Sequence, residues 1–251
     1  MSVTAAIAIG AQLIAAAPAA IKAVTSIVDA VQGRKEKKPA SKSATPPGIM
    51  GSSAAPGAPP GLASRPTMGE LPSAAALARF SGELPTFTES QQRSIAAISG
   101  VVQTLMPVWR DPGIAIGLIW ALVANAWVES RLRPGARNPV GEDSRGLFQV
   151  NLRAHPKLSD VDLYNPKVNT AAILQMILKD KRVLDGLLSG CASVAQLTWD
   201  ICYHVERPRN RAVKAARRAD MVKGWLGQWA TVPIAQLDDL LMQQGQRRGR
   251  R

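Results

Sequence analysis

The chain has 251 residues, 46% of them hydrophobic, which suffices for one folded domain of ordinary size with appendages. Its formal net charge of +13 indicates anionic partners such as nucleic acid, lipid headgroups or an anionic polymer, or else a solubilising surface charge. The few cysteines and histidines lack ligand spacing, which argues against a zinc site and a disulfide scaffold. No cofactor is expected. Cys191 and Cys202 are predicted to be two buried thiols.

Residues 1–32 are predicted to form an apolar N-terminal helix rich in Ala, Ile and Val. A secretory signal fits poorly because the positive charges follow the apolar stretch instead of preceding it. A stable membrane span also fits poorly, since Gln12 and Pro18 interrupt the stretch and Lys22 closes it early. We therefore expect the helix to pack on a protein partner or to contact a membrane transiently.

Residues 33–86 are predicted to be a linker. A short basic run is followed by sequence dominated by Pro, Ala, Gly and Ser, with Pro-Pro-Gly at 46–48 and again at 59–61. Such a composition cannot assemble a core. The segment should therefore tether the N-terminal helix to the domain that follows.

Residues 87–231 are predicted to form the folded domain, beginning with two helices. Thr88 or Ser90 can cap a helix that runs to Leu105. Asp111, followed by a proline, can start a second helix over Gly113–Glu129. This second helix has almost no polar face, so it should be the central, buried one.

The rest of the domain is predicted to be mainly helical. A small hairpin is expected between Arg133 and Gln149, with a short strand over Leu147–Asn151. The segment 232–251 should be a short helix with an Arg-rich tail. Further helices are predicted over Pro166–Leu188, Ser193–Val205, Pro208–Trp229 and Ile234–Gln243. The fold class is mainly α with a small hairpin or loop subdomain.

Glu129 is the candidate catalytic acid. A carboxylate at the end of an apolar helix is partly desolvated, which raises its pKa and lets it donate a proton to a glycosidic oxygen. On the single residue alone, an ordinary solvated glutamate at a helix end is the stronger interpretation.

The residues after Glu129 resemble the superfamily of goose-type lysozymes and soluble lytic transglycosylases. In that superfamily Glu-Ser is followed by Pro and Ala and then by Gly-Leu-Met-Gln and a branched residue. A later Leu163-Tyr164-Asn165-Pro166 with Asn169 is similar to the family's helix start. The first set of matching positions is Glu129, Ser130, Pro134, Ala136, Gly146, Leu147, Phe148, Gln149 and Val150. The resemblance spans roughly residues 113–206 and implies a lysozyme-like α+β fold.

The resemblance also implies a substrate groove. Glu129 would protonate the leaving group, and the glycine would let the sugar polymer approach the backbone. Ser130 would orient the acid or a sugar, although a local capping role is equally compatible with its position. The residues expected to bind substrate along the groove are Ser144, Gly146, Leu147, Gln149 and Asn151.

The sequence departs from the transglycosylase pattern just before Gly146. Two extra residues are present, and Glu142-Asp143-Ser144-Arg145 stands where the family has Gly-Ala. Animal c-type lysozymes, which resemble this stretch, place a second carboxylate just ahead of the glycine. Asp143 is therefore a possible second catalytic carboxylate, which would favour hydrolysis, and the alternative is a solvated loop.

The family's later tyrosine motif is replaced by a segment that resembles the Phe-Glu-Arg-Pro stretch of phage tail lysozymes. Within this segment, residues 202–208, Tyr203 is the candidate to face the acid, and a half-buried structural aromatic is the alternative. For Glu206, a surface pairing with Arg207 or Arg209 is an equally compatible alternative to a role in the site.

The last long helix and the tail are strongly basic. The charges could bind DNA or an anionic wall polymer without specificity, or simply solvate a helix face. They are Arg207, Arg209, Arg211, Lys214, Arg217, Arg218 and Lys223 on the helix and Arg247, Arg248, Arg250 and Arg251 in the tail.

Together these features predict an enzyme, a muramidase or lytic transglycosylase, that cleaves the β-1,4 bond between N-acetylmuramic acid and N-acetylglucosamine in peptidoglycan. We expect it in a bacteriophage virion, where the N-terminal helix contacts other virion proteins and the domain opens the host wall during genome entry. The alternative is a non-enzymatic assembly protein that carries a vestigial lysozyme-like module.

Overall fold

The structure is a computed structural model that describes residues 84–105 and 111–240. The predicted N-terminal helix over 1–32, the predicted linker up to residue 83 and the Arg-rich tail from residue 241 lie outside the described residues. Within these limits the chain forms six α-helices, three very short strands and the turns between them. The prediction of a mainly α fold with a small β element is confirmed.

The first two helices begin where capping chemistry predicts. Helix α1, Glu89–Gln103, follows Thr88, whose hydroxyl accepts a hydrogen bond from the Gln91 backbone while the Gln91 side chain accepts one from Thr88. Helix α2, Pro112–Ser130, follows Asp111, whose carboxylate accepts a backbone hydrogen bond of 2.8 Å from the first turn. Both caps satisfy N–H groups that have no acceptor inside the helix.

Helix α2 is the central helix of the domain. Fifteen of its 19 residues are buried, and a left-handed Arg131 at φ 56° ends it. By length and hydropathy α2 would pass for a membrane span, but 83% of its apolar window is buried inside the fold. Its apolar surface is therefore covered by protein, as in a core helix.

A three-stranded antiparallel sheet follows α2. Its strands are β1 (Arg137–Asn138), β2 (Ser144–Arg145) and β3 (Val150–Asn151), in the order β1-β2-β3. Arg137 pairs with Arg145, and Ser144 pairs with Asn151. The predicted strand over Leu147–Asn151 is therefore wrong for residues 147–149, which form a turn with Gln149 at φ 45°.

The predicted helix over Pro166–Leu188 is two helices, α3 (Pro166–Lys179) and α4 (Lys181–Leu188). Asp180 between them has an extended backbone, and its carboxylate accepts hydrogen bonds from the first turn of α4. The same residue ends one helix and caps the next, which a hydrophobic pattern does not reveal.

The later helices differ from the predicted ones in their bounds or in their helix type. Ser193 caps α5 (Val194–Asp200), which continues into a π-helical turn over Ile201–Glu206. Helix α6 spans Arg211–Leu226 and is followed by a 3₁₀ turn. A further 3₁₀ turn, Ile234–Gln236, leads into helical residues 237–240.

One of the two cysteines is not buried. Cys202 lies in the core, but Cys191 is exposed in the turn before α5, so the prediction of two buried thiols is wrong for Cys191. Both thiols are free.

Candidate active site

Glu129 lies in the last turn of α2, as predicted, and its side chain is 23% exposed. Its Oε1 accepts a charge-assisted hydrogen bond from Nη2 of Arg218, which belongs to α6. The predicted acid is therefore held in place by a guanidinium from a distant part of the chain.

Arg218 is the centre of a buried polar cluster. Its side chain is only 2% exposed, and its Nη1 donates both to Oε2 of Glu206 and to Oδ1 of Asn125, the latter at 2.7 Å. Asn125 is itself fully buried in α2, and its amide nitrogen donates to the Thr198 carbonyl of α5 at 3.3 Å. The prediction that Arg218 contributes to a basic surface is wrong, because it faces the core and neutralises carboxylates there.

Glu206 is the second carboxyl of this cluster. Its side chain is 6% exposed, so the predicted surface pairing with Arg207 or Arg209 is wrong. Arg207 instead adopts a left-handed conformation and donates from its Nε to the His204 carbonyl at 2.6 Å. Burial raises the pKa of Glu206 to about 7, against the opposing pull of the Arg218 charge.

A second set of contacts fixes the turn over residues 146–149 beside Glu129. The buried Ser130 donates from its hydroxyl to the Leu147 carbonyl at 2.8 Å. Asn169 of α3 accepts a hydrogen bond of 2.9 Å from the Phe148 backbone and donates one of 3.1 Å to the Arg145 carbonyl. The turn is thus tied to the end of α2 on one side and to α3 on the other.

Gly146 is required by packing within the protein. It has φ 79°, and a Cβ at this position would lie 2.2 Å from the Leu163 carbonyl and 2.3 Å from the Asn169 amide nitrogen. The expectation that the missing side chain makes room for a sugar polymer is therefore wrong, because the space is filled by α3 and the residues before it. The Leu147 side chain is fully buried, so a wall contact through that side chain is also wrong.

The remaining predicted groove residues use polar groups to hold the turns. Gln149 donates from its side-chain nitrogen to the carbonyls of Ala136 and Gly146 at 3.1 and 2.9 Å. Asn151 accepts hydrogen bonds from two backbone N–H groups of the next turn. Ser144 is buried, and its hydroxyl donates to Glu142 at 3.3 Å. Their roles toward a substrate stay predictions.

Asp143 is held between two arginines. Its carboxylate accepts hydrogen bonds of 2.8 Å from Arg137 and 2.6 Å from Arg145. Hydrogen bonds from Arg145 and then Arg137 lower the pKa of Asp143 to about 2, so this group is an anion at any physiological pH. As a second carboxylate it could act only in its ionised form, which also stays a prediction.

Residues 111–180 match the family model of a lysozyme-like domain. No curated protein and no solved structure matches the chain. The match supports the lysozyme-like superfamily for this stretch, which contains Glu129, the three strands and Asn169. It indicates a glycosidase or transglycosylase acting on peptidoglycan. The matched residues are under a third of the 251, and they end before Glu206 and Arg218.

Tyr203 lies in the π-helical turn that follows α5, outside the stretch matched to the lysozyme-like domain. Its ring stacks on Trp199 at 4.4 Å, and the Arg211 guanidinium lies over it at 4.4 Å. His204 contacts the same ring edge-on at 4.9 Å. These contacts explain its partial burial, and its predicted position facing the acid stays a prediction.

Sequence reasoning missed Arg218 and Asn125 as members of the site. Asn125 stands one helical turn before Glu129 in an otherwise apolar helix, so both side chains share a face. Arg218 lies on the buried face of α6 with Ala215 and Val222, at helical spacing. Each of the two residues is a polar side chain on an apolar helix face, and this pattern is visible in the sequence. The pattern does not identify the residue that either side chain contacts.

Proposed function

We propose that the chain cleaves the β-1,4 bond between N-acetylmuramic acid and N-acetylglucosamine in peptidoglycan, with Glu129 as the acid. One observation carries the proposal. Glu129 ends the buried helix of a lysozyme-like segment, and Ser130 beside it is hydrogen-bonded to the Gly146–Gln149 turn. The Glu129 carboxyl is thus fixed in position by its neighbours, yet its side chain is 23% exposed. A proton donor for a polymer needs both properties.

The chemistry assigned to Glu129 has two steps. Its protonated form gives a proton to the glycosidic oxygen as the bond to the muramic acid carbon breaks. Its carboxylate then takes a proton from the hydroxyl that attacks that carbon, which restores the acid. The attacking hydroxyl belongs either to water or to the same muramic acid at its C6 carbon.

Mass analysis of digested peptidoglycan tests the activity and distinguishes these two reactions. Purified sacculi incubated with the folded protein should release disaccharide-containing fragments. Reducing-end products indicate hydrolysis, and 1,6-anhydro products, lighter by one water, indicate a lytic transglycosylase. Because Asp143 is a possible second carboxylate, which favours hydrolysis, we expect reducing ends. A folded protein that releases no fragment would favour a non-enzymatic assembly module.

We also propose that the protein is a bacteriophage virion component that opens the host wall during genome entry. The support is the resemblance of residues 205–208 to a phage tail lysozyme motif and the apolar composition of residues 1–32. The N-terminal segment would contact other virion proteins and, transiently, a membrane. The exposed basic residues of α6 and the tail would contact DNA or wall polymer without specificity.

Mass spectrometry of purified particles tests the virion role. Peptides covering Ser2 to Lys22 should be present, since the segment is proposed to act in the assembled particle. A mature protein that begins after Ala20 would contradict the role and identify the segment as an export signal.

A further inference from the structure

Two carboxyl groups share one guanidinium in the core of the site. Nη2 of Arg218 donates to Glu129, and Nη1 of the same residue donates to Glu206. The Arg218 and Glu206 side chains are only 2% and 6% exposed, and the third ligand, Asn125, is neutral. A fully ionised cluster would therefore carry one uncompensated negative charge, spread over the buried Glu206 and the partly exposed Glu129.

An acid that is ion-paired to an arginine is a poor proton donor, because the positive charge stabilises its ionised form. Taken alone, the contact between Glu129 and Arg218 would argue against the role proposed for Glu129. The second carboxyl changes this balance, since one guanidinium cannot neutralise two carboxylates.

We propose that Glu206 is a positioning residue that makes the cluster retain one proton, shared with Glu129 across Arg218, so that Glu129 can still donate it. This inference rests on the proposed function. With one proton retained, the positive charge of the guanidinium equals the negative charge of the single remaining carboxylate. No unpaired charge is then buried. Arg218 orients both carboxyls through separate nitrogens.

The hydrogen bonds indicate where the proton resides at rest. Oε2 of Glu206 accepts from Arg218, while its Oε1 is buried and has no hydrogen-bond partner among the described residues. A buried oxygen without a donor is better suited to carry a proton than a negative charge. Burial also raises the pKa of Glu206 to about 7, in agreement with this placement. The cluster then has two forms, one with the proton on Glu206 and one with the proton on Glu129, and the second is the reactive form.

Among the residues that the structure describes, few charged groups act on Glu206 and its surroundings. Arg218 and Glu129 act on Glu206 from α6 and α2. Cys202, on the same π-helical segment, adds no charge because burial raises the pKa of its thiol to about 12. Lys214 of α6 contributes a positive charge near that thiol. The retained proton is therefore set mainly by the two carboxyls and Arg218.

The test is the pH dependence of lysis by the full-length Glu206→Gln variant. The amide keeps the volume but cannot ionise, so Arg218 is left to Glu129 alone and Glu129 loses its proton at lower pH. The fall in activity at high pH, the basic limb of the pH–activity profile, should move about 1 to 3 pH units toward acid. This is the range by which one neighbouring opposite charge shifts the pKa of a carboxyl group. Glu89→Gln, which removes an 83% exposed carboxylate on α1, is the matched control and should leave the limb in place.

A titration independent of activity completes the test. Carbon-13 spectra of labelled glutamate side chains should show Glu129 and Glu206 titrating as a coupled pair in the wild type, with the last proton lost near neutral pH. Two independent titrations at ordinary glutamate pH would overturn the inference even if Glu206→Gln fails to fold. An unmoved basic limb in a folded Glu206→Gln variant would overturn it too, provided Glu129→Gln is inactive. A lytically active Glu129→Gln would overturn the proposed function, and this inference with it.

Discussion

Glu129→Gln should lower the rate of peptidoglycan lysis by about two to four orders of magnitude, the usual contribution of a general acid. The amide preserves the side-chain volume, and its oxygen can still accept the hydrogen bond from Arg218. The variant should therefore keep the fold while losing the transferable proton. Lysis is measured by zymography or by the turbidity of purified sacculi.

The control for this experiment is again Glu89→Gln, because that carboxylate pairs with Arg93 on the exposed side of α1. It should retain full activity. If Glu129→Gln lyses sacculi within a few-fold of the wild type, the acid lies elsewhere, and Glu206 is the next carboxyl to replace. If the two variants have the same melting temperature, a loss of activity in Glu129→Gln is a loss of chemistry and not of the fold.

Helix starts could be predicted from the sequence because their causes are local. Thr88, Asp111 and Ser193 each cap a helix through side-chain bonds to backbone groups two or three residues away. The break at Asp180 has a local cause too, but apolar residues continue on both sides of it and conceal it. Helix boundaries were thus predictable where a cap coincided with a change of pattern.

The catalytic candidate was predictable for a different reason. Glu129 and the residues of the Gly146–Gln149 turn follow one another in the order typical of a known superfamily, so the sequence alone identifies them as candidates. That resemblance did not reveal what each residue does. Gly146 serves the packing of Asn169, 23 residues later in the chain, and this contact exists only in the folded molecule.

The partners of Glu129 were not predictable because they are distant in sequence. Arg218 is 89 residues from Glu129 and 93 from Asn125, and no local rule connects such positions. In the sequence Arg218 stands among exposed basic neighbours such as Arg217, although helical spacing places it on the buried face of α6. A buried charge requires a partner, and only the tertiary structure supplies its identity.

Arg218→Met should destabilise the domain by about 3–5 kcal/mol at neutral pH, the cost of leaving buried charges without their counterion. Methionine is of similar length and apolar, so the main loss is the positive charge shared by Glu129 and Glu206. Arg217→Met is the matched control, since Arg217 is exposed on the same helix and should change stability by no more than about 0.5 kcal/mol. Urea denaturation of the three proteins gives the free energies of unfolding.

The loss caused by Arg218→Met should depend on pH in a defined direction. The folded pKa of Glu206 is already about 7, above the ordinary value of 4.5, so protonation favours the folded state, and this stability is lost as pH rises through that window. Removing Arg218 takes away the positive charge that lowers this pKa. The loss of stability therefore extends to higher pH in the variant. The difference between Arg218→Met and the wild type should therefore be smallest at about pH 4 to 5 and grow toward pH 8. A destabilisation that is equal at pH 5 and pH 8 would show that Arg218 contributes packing alone, and that the two carboxyls do not depend on its charge.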